Sequence, residues 1–85
     1  MGNAKLSREN QELLREVVSK YLASEAGRLL QESPDKWLSS VRLRVRDAVG
    51  EELAATGFDA NFAPTVRGDM LEAIIDFLNR IEFGP

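Results

Sequence analysis

Apolar residues recur at three- and four-residue spacing in three stretches of this chain, separated by two clusters of turn formers. That period belongs to a helix face, not to a strand. In the first stretch Leu13, Leu14, Val17, Val18, Tyr21 and Leu22 share one broad face. Ser7 ahead of them, with Glu9 and Glu12 close behind, marks the helix start. Beyond Leu22 the stripe drifts to Ala26, Leu29 and Leu30, and Gly27 sits where it turns. The spacing predicts a helix over residues 7–32 that curves or breaks near Gly27. Glu25 falls inside the apolar arc, with Arg28 three residues on as its expected ion-pair partner.

The second stretch opens on Ser33-Pro34-Asp35, a serine cap, a proline suited to the first helical position and an early acid. It predicts a helix over 34–56, with Gly50 as a possible break and Gly57 as a left-handed C-cap. Within it, Val41-Arg42-Leu43-Arg44-Val45-Arg46 alternates like a half-buried strand. The strand reading explains three apolar residues. The helix gathers Trp37, Leu38, Val41, Val45, Ala48, Val49 and Leu53 on one face and misplaces only Leu43, and no second strand is available for pairing. Helix is the better reading.

A connector from Phe58 to Thr65 follows, with Asp59, Asn61 and Pro64 as turn formers and Phe58 and Phe62 expected to fold back as apolar plugs. The third helix is predicted over 65–82. It starts at Thr65 or, through an Asp69–Glu72 capping box, at Asp69. Met70, Leu71, Ile74, Ile75, Phe77, Leu78 and Ile81 form its apolar face, and Phe83-Gly84-Pro85 ends it. Short connections make successive helices antiparallel. The expected fold is one all-α domain over 1–85, a three-helix up-down-up bundle with breaks possible near Gly27 and Gly50.

Composition narrows the chemistry more than it names a function. Among 85 residues there is no cysteine and no histidine. The chain therefore has no disulfide, no thiolate and none of the side chains that most often bind zinc or move protons near neutral pH. A chain this short buries only about three-fifths of its unfolded surface, so its core gains from a second subunit. No apolar run approaches the roughly 18 residues of a membrane span, and a cytoplasmic protein is expected. The opening Met1-Gly2-Asn3-Ala4-Lys5-Leu6 resembles a myristoylation signal, but Leu6 stands where Ser or Thr is required.

Charge is unevenly spread. Residues 48–85 carry two basic and seven acidic groups, a net of −5 within a total of −3. That balance disfavours a duplex-DNA binder and suits a basic partner. Arg42, Arg44 and Arg46 are the one candidate contact to nucleic acid. On a helix they do not make one basic face, because Arg44 lies on the flank opposite Arg42 and Arg46. Snorkelling along the rim of the core, paired with acids of the third helix, is their expected role.

Asp69, Glu72 and Asp76 line one side of the third helix and read as a solvated face, since hard cations need oxygens from several directions. Asp59 and Asn61 resemble the start of a calcium loop but lack its glycine and closing glutamate. Arg67-Gly68-Asp69 coincides with a helix start, where Gly and Asp have local reasons to occur. Glu25 and Glu52, each inside an apolar arc, are expected to meet an arginine; without one, burial would raise their proton affinity. No nucleophile has an identifiable base, so no enzymatic activity, cofactor, metal or small-molecule substrate is expected.

One geometric feature points to a partner. Helices over 7–32 and 34–56 would run roughly 35–38 Å and the third only about 20–26 Å, at 1.5 Å per residue. Leu29, Leu30, Trp37 and Leu38 would then lie uncovered at the open end, unless the first helix breaks and folds back over Trp37. Leu43 and Ala54, off the main stripe, form a weaker second patch. An exposed cluster around tryptophan marks an interface. The sequence thus predicts a non-enzymatic protein–protein interaction module, forming a homodimer or docking another protein through Trp37, Leu38, Leu29 and Leu30. The alternative is a small nucleic-acid-associated regulator using Arg42, Arg44 and Arg46.

Overall fold

The structure, a computed structural model, describes residues 6–84; the Gly2 segment lies outside them. Four α-helices are present among the described residues: α1 (Arg8–Tyr21), α2 (Ala23–Leu29), α3 (Ser39–Thr56) and α4 (Val66–Phe83). The all-α class is as expected, but two of the three expected helices divide. None of the four is long and apolar enough to cross a membrane.

The first division falls at Leu22, not at Gly27. Leu22 leaves helical geometry (φ −128°, ψ 46°), while Gly27 sits inside α2 and Gly50 inside α3 without breaking either. No glycine or proline marks Leu22, so the cause is tertiary. Turning there lets Ala26 and Leu29 join the core and brings Glu25 to Arg44. Burying a large apolar side chain contributes on the order of 2 kcal/mol, more than the hydrogen bond or two lost at the turn.

The second division separates Pro34–Lys36, a single 3-10 turn, from α3, which starts at Ser39 after the extended Trp37 and Leu38. Ser33-Pro34-Asp35 is thus a true start signal for a shorter element. Its Ser33 Oγ donates to Asp35 Oδ1 at 2.5 Å. α4 begins where expected, with Thr65 as N-cap accepting from the Gly68 N–H at 2.9 Å, and it ends on Gly84 at φ +84°. Thr65, not Asp69, is the cap.

Cross-links along α3 give the path of the chain. Lys20 and Tyr21 at the end of α1 reach Glu52 near the C-terminal end of α3, and Glu25 on α2 reaches Arg44 a few turns below. α4 runs antiparallel to α3, with Arg67 at Glu52, Asn79 at Arg46 and Glu82 at Arg42. The core is built by Leu13, Leu14, Val17 and Val18 of α1, Val45, Ala48 and Val49 of α3, and Leu71, Ile74 and Leu78 of α4. Ala26, Leu29 and Trp37 close its lower end.

α3 and α4 touch backbone to backbone where they meet. Gly68, buried in the first turn of α4, packs on the Gly57 carbonyl so closely that a Cβ would fall on that oxygen. The same carbonyl accepts from the Thr65 N–H at 2.8 Å. Gly57 itself has φ −85°, so it is a right-handed C-cap, correcting the left-handed expectation. Its glycine is required by crowding, since a Cβ would stand 2.5 Å from the Leu53 carbonyl oxygen.

Candidate functional site

The expected docking cluster is not open. Trp37 is only 5% exposed, and its indole N–H donates to the Leu29 carbonyl at 2.9 Å. The same carbonyl accepts from the Glu32 N–H at 3.2 Å, so the end of α2 and the buried indole are tied at one oxygen. Leu29 is buried with Trp37 and Leu30 is half-buried; Leu38 alone of the four stays open, at 73%. The fold-back considered for this end therefore occurs, five residues earlier than Gly27. Phe83, also exposed, lies at the same end, because Ser39 Oγ and the Arg42 guanidinium both bind Glu82.

The three arginines of α3 are occupied and divided between flanks. Arg42 pairs with Glu82 at 2.9 Å, and its Nη1 donates to the Trp37 carbonyl at 2.6 Å, fastening the segment ahead of α3. Arg46 donates to Asn79 Oδ1 at 3.0 Å. On the other flank Arg44 holds Glu25 through two bonds of 3.2 and 2.6 Å, with Arg28 a more distant partner at 3.5 Å. Beside Arg44 the Glu25 carboxyl is held below its ordinary range, and Glu82 likewise by Ser39 and Arg42. A phosphate would have to displace these bonds and would meet no common basic face. Of the expected pairing with acids of the third helix only Arg42–Glu82 is present; Arg46 meets the Asn79 amide of α4, and Arg44 an acid of α2.

Glu52 is the one buried charged residue among those described, at 1% exposure. Its Oε1 accepts from Lys20 Nζ at 2.8 Å and from the Tyr21 hydroxyl at 2.9 Å. Its Oε2 accepts from Arg67 Nη2 at 2.9 Å, and the Thr56 hydroxyl divides its one proton between the Glu52 carbonyl at 3.0 Å and Oε2 at 3.2 Å. Arg67 continues outward to Glu16 at 2.6 Å. Lys20 first and Arg67 next, with Tyr21 after them, pull the Glu52 pKa down to about 2, against the desolvation that would raise it. The Tyr21 hydroxyl, donating to that carboxylate, is pushed up, as is Lys20. The hub ties α1, α3 and α4 together. It has no vacant polar position, and its ionisation stays fixed across the neutral range, so it is a structural clasp. It also explains Arg67-Gly68-Asp69 locally: Arg67 serves Glu52, and Gly68 serves the close approach to Gly57.

Among the described residues no three carboxylates converge as a metal site, and Asp69, Glu72 and Asp76 all lie on the exposed side of α4. Asp59 is a turn former. Its Oδ1 accepts from the Asn61 N–H at 2.8 Å and the Ala63 N–H at 3.0 Å.

The feature that the sequence did not reveal lies in that turn. Phe58 and Pro64 form a single antiparallel bridge, Asp59 N–H donates to the Ala63 carbonyl at 2.9 Å, and Phe62 N–H donates to the Asp59 carbonyl at 2.9 Å. The loop is thus closed by four bonds centred on Asp59. Phe62 sits at its tip with φ 62°, the one non-glycine residue with positive φ among those described, and is 87% exposed. Phe58 and Val66 beside it are exposed as well. The expectation that Phe58 and Phe62 plug the core is overturned: the Asp59 bonds turn the loop outward, leaving Phe62 87% and Phe58 42% exposed, and neither joins the core. A signal was present in the sequence. A hairpin of this length needs a left-handed residue after the turn, and no glycine lies between Phe58 and Thr65 to supply it.

No protein-family model, no curated protein and no solved structure matches the chain.

Proposed function

We propose that the chain is a non-enzymatic protein–protein interaction module that self-associates through the loop carrying Phe58, Phe62 and Val66. The observation that carries this reading is Phe62. A bulky L-residue in the left-handed region costs about 1 kcal/mol or more, and an aromatic side chain in water forgoes a further 1.5–3 kcal/mol of burial. Among the described residues the Phe62 ring stays 87% exposed, while four hydrogen bonds around Asp59 hold the loop in place. A second copy covering Phe62 with its own Phe62 returns the burial to both subunits, as a two-fold contact does.

The patch also sets the strength. At about 200 Å² per aromatic, Phe58 at 42% and Phe62 at 87% exposure offer roughly 260 Å² of apolar surface, to which Val66 adds its exposed part. A stable interface needs about 800 Å² per partner, so the dimer is weak and concentration-dependent. Asp59 and Asp69 flank the patch and repel their own copies, so added salt, which screens that repulsion, strengthens the dimer.

Light scattering behind a sizing column, repeated across protein concentration, tests the reading. The wild type shifts from monomer to dimer at high concentration, more readily in 0.5 M salt, and Phe62→Gly stays monomeric throughout. A wild type that remains monomeric, or a Phe62→Gly variant that dimerises equally well, overturns it.

A further inference from the structure

On the outer side of the α3–α4 pair lies a shallow groove of about 600 Å³, lined by Arg46, Asp47, Gly50, Glu51, Ala54, Ile75 and Asn79. Its floor is apolar, made by Gly50, Ala54 and Ile75, and Arg46 to Ala54 covers about 12 Å of α3, two turns of helix. Gly50 is the informative residue. An interior helical glycine costs up to about 1 kcal/mol relative to alanine. The close approach that explains Gly57 and Gly68 is missing here, since a Cβ on Gly50 would meet nothing within 4 Å. The monomer gains nothing in packing from it; what the glycine leaves is room.

The rim is mostly acidic. Asp47 and Glu51 stand exposed along the α3 side, and Glu72 is exposed one turn ahead of Ile75 on α4. None of the three forms an ion pair among the described residues, whereas Glu16, Glu25, Glu52 and Glu82 all do. The one cation lining the groove, Arg46, is turned onto Asn79 Oδ1 at 3.0 Å.

We infer that this groove receives a basic amphipathic helix of another protein, about two turns long. One or two medium-sized apolar side chains lie over Gly50 and Ala54, and Lys or Arg residues flank them to meet Asp47, Glu51 and Glu72. Shape sets the element: a shallow apolar groove two turns of α3 long, with a glycine in its floor, takes a helix ridge, as helix-in-groove recognition requires. Charge sets the partner: three unpaired carboxylates repel a second copy of this acidic half and attract a cationic helix. The inference extends the protein-docking reading but uses a different surface from the Phe62 loop.

The test uses the full chain and a 16-residue synthetic helix with leucines at heptad a and d positions and lysines elsewhere, titrated by fluorescence anisotropy in 50 mM salt. Binding is expected to weaken at least tenfold in 300 mM salt and at least tenfold against a peptide of the same composition in scrambled order. A Cβ at Gly50 meets nothing within 4 Å, so Gly50→Leu, whose side chain occupies the groove, is expected to keep the fold and weaken binding at least tenfold. Glu51→Lys gives a second variant that leaves the helix glycine in place, with a comparable loss. No binding, equal binding of the scrambled peptide, or full binding by both variants overturns the inference. Phe62→Gly leaves peptide binding unchanged and Gly50→Leu leaves self-association unchanged, so the two readings fail separately. The salt responses are also opposite, since salt strengthens self-association and weakens helix capture.

Discussion

Glu52 and Phe62 stand ten residues apart and break the usual burial rule in opposite directions. Glu52 is a charge with almost no access to water, and Phe62 an aromatic with almost nothing but water around it. The chain resolves the first within itself: Lys20, Tyr21, Thr56 and Arg67 meet both carboxylate oxygens, and among the described residues no buried side-chain polar atom lacks a partner. It does not resolve the second. Four hydrogen bonds centred on Asp59 close the loop that holds Phe62, so its exposure is not the looseness of an unpaired segment. An internally satisfied exception explains architecture, and a rigid unsatisfied one points outside the chain.

The largest test of that contrast removes the hub. Glu52→Ala is expected to cost about 3 kcal/mol, the low end of the range for breaking a buried ion pair, because Lys20 and Arg67 can turn to solvent once released. Glu52→Leu should cost less, since it refills the volume. Urea denaturation at pH 7 measures both. If Glu52→Ala costs under 1 kcal/mol, the hub is not the clasp of the fold and its contrast with the loop loses one side.

Acid sharpens the same side. With a folded-state pKa of about 2 against an ordinary value near 4.5, the Glu52 contribution is fully present above pH 4.5 and lost as pH falls through 2. Glu25 and Glu82, held low by Arg44 and by Ser39 with Arg42, lose stability in the same direction. Comparing the wild type with Glu52→Gln isolates the hub from those two. The two stability curves should converge between pH 4.5 and 2; curves that stay parallel there would show that Glu52 is not held low.

Gly68 joins the two regions, since its close approach to Gly57 fixes Thr65 and Arg67 at the base of the loop. Gly68→Ala gains helix propensity and meets the Gly57 carbonyl. Overpacking against backbone outweighs the gain, for a net loss of about 2 kcal/mol. A neutral Gly68→Ala in a thermal melt would show the backbone contact to be soft.

How much of this was legible in the sequence follows the range of the interactions. The stripes Leu13-Leu14-Val17-Val18 and Leu71-Ile74-Leu78 and the caps at Ser7 and Thr65 are local and could be read directly. The drift of the stripe beyond Leu22 announced a change of direction, but its place depended on where α3 offers Arg44 and Trp37 offers its indole, contacts 8 to 19 residues away. Glycine drew attention to residue 27 because glycine permits a break, yet tertiary burial decided where one was needed. Trp37 was misplaced for the same reason. The flanks of Arg42, Arg44 and Arg46 followed from the helical period, and their partners lie on those flanks. Phe62 was misread because an aromatic after a helix end usually folds inward, and only the bonds to Asp59 show that this one does not.

The smallest expected effect tests the unresolved side most directly. Glycine occupies the left-handed region freely, so Phe62→Gly relieves strain of about 1–2 kcal/mol and gives back part of it through the freedom gained by the unfolded chain. The net expectation is a gain of about 0.5 kcal/mol in the monomer, small but opposite in sign to the effect of most substitutions. Measured in dilute protein, where association contributes nothing, that gain would show that the phenylalanine is kept at the expense of the monomer. A loss of 1 kcal/mol or more would mean that Phe62 packs on its own chain, and the contrast between a satisfied Glu52 and an unsatisfied Phe62 would collapse. Phe62→Ala separates the two contributions further: it keeps the left-handed penalty while removing the ring, so it should be less stable than Phe62→Gly by about 1 kcal/mol and equally unable to dimerise.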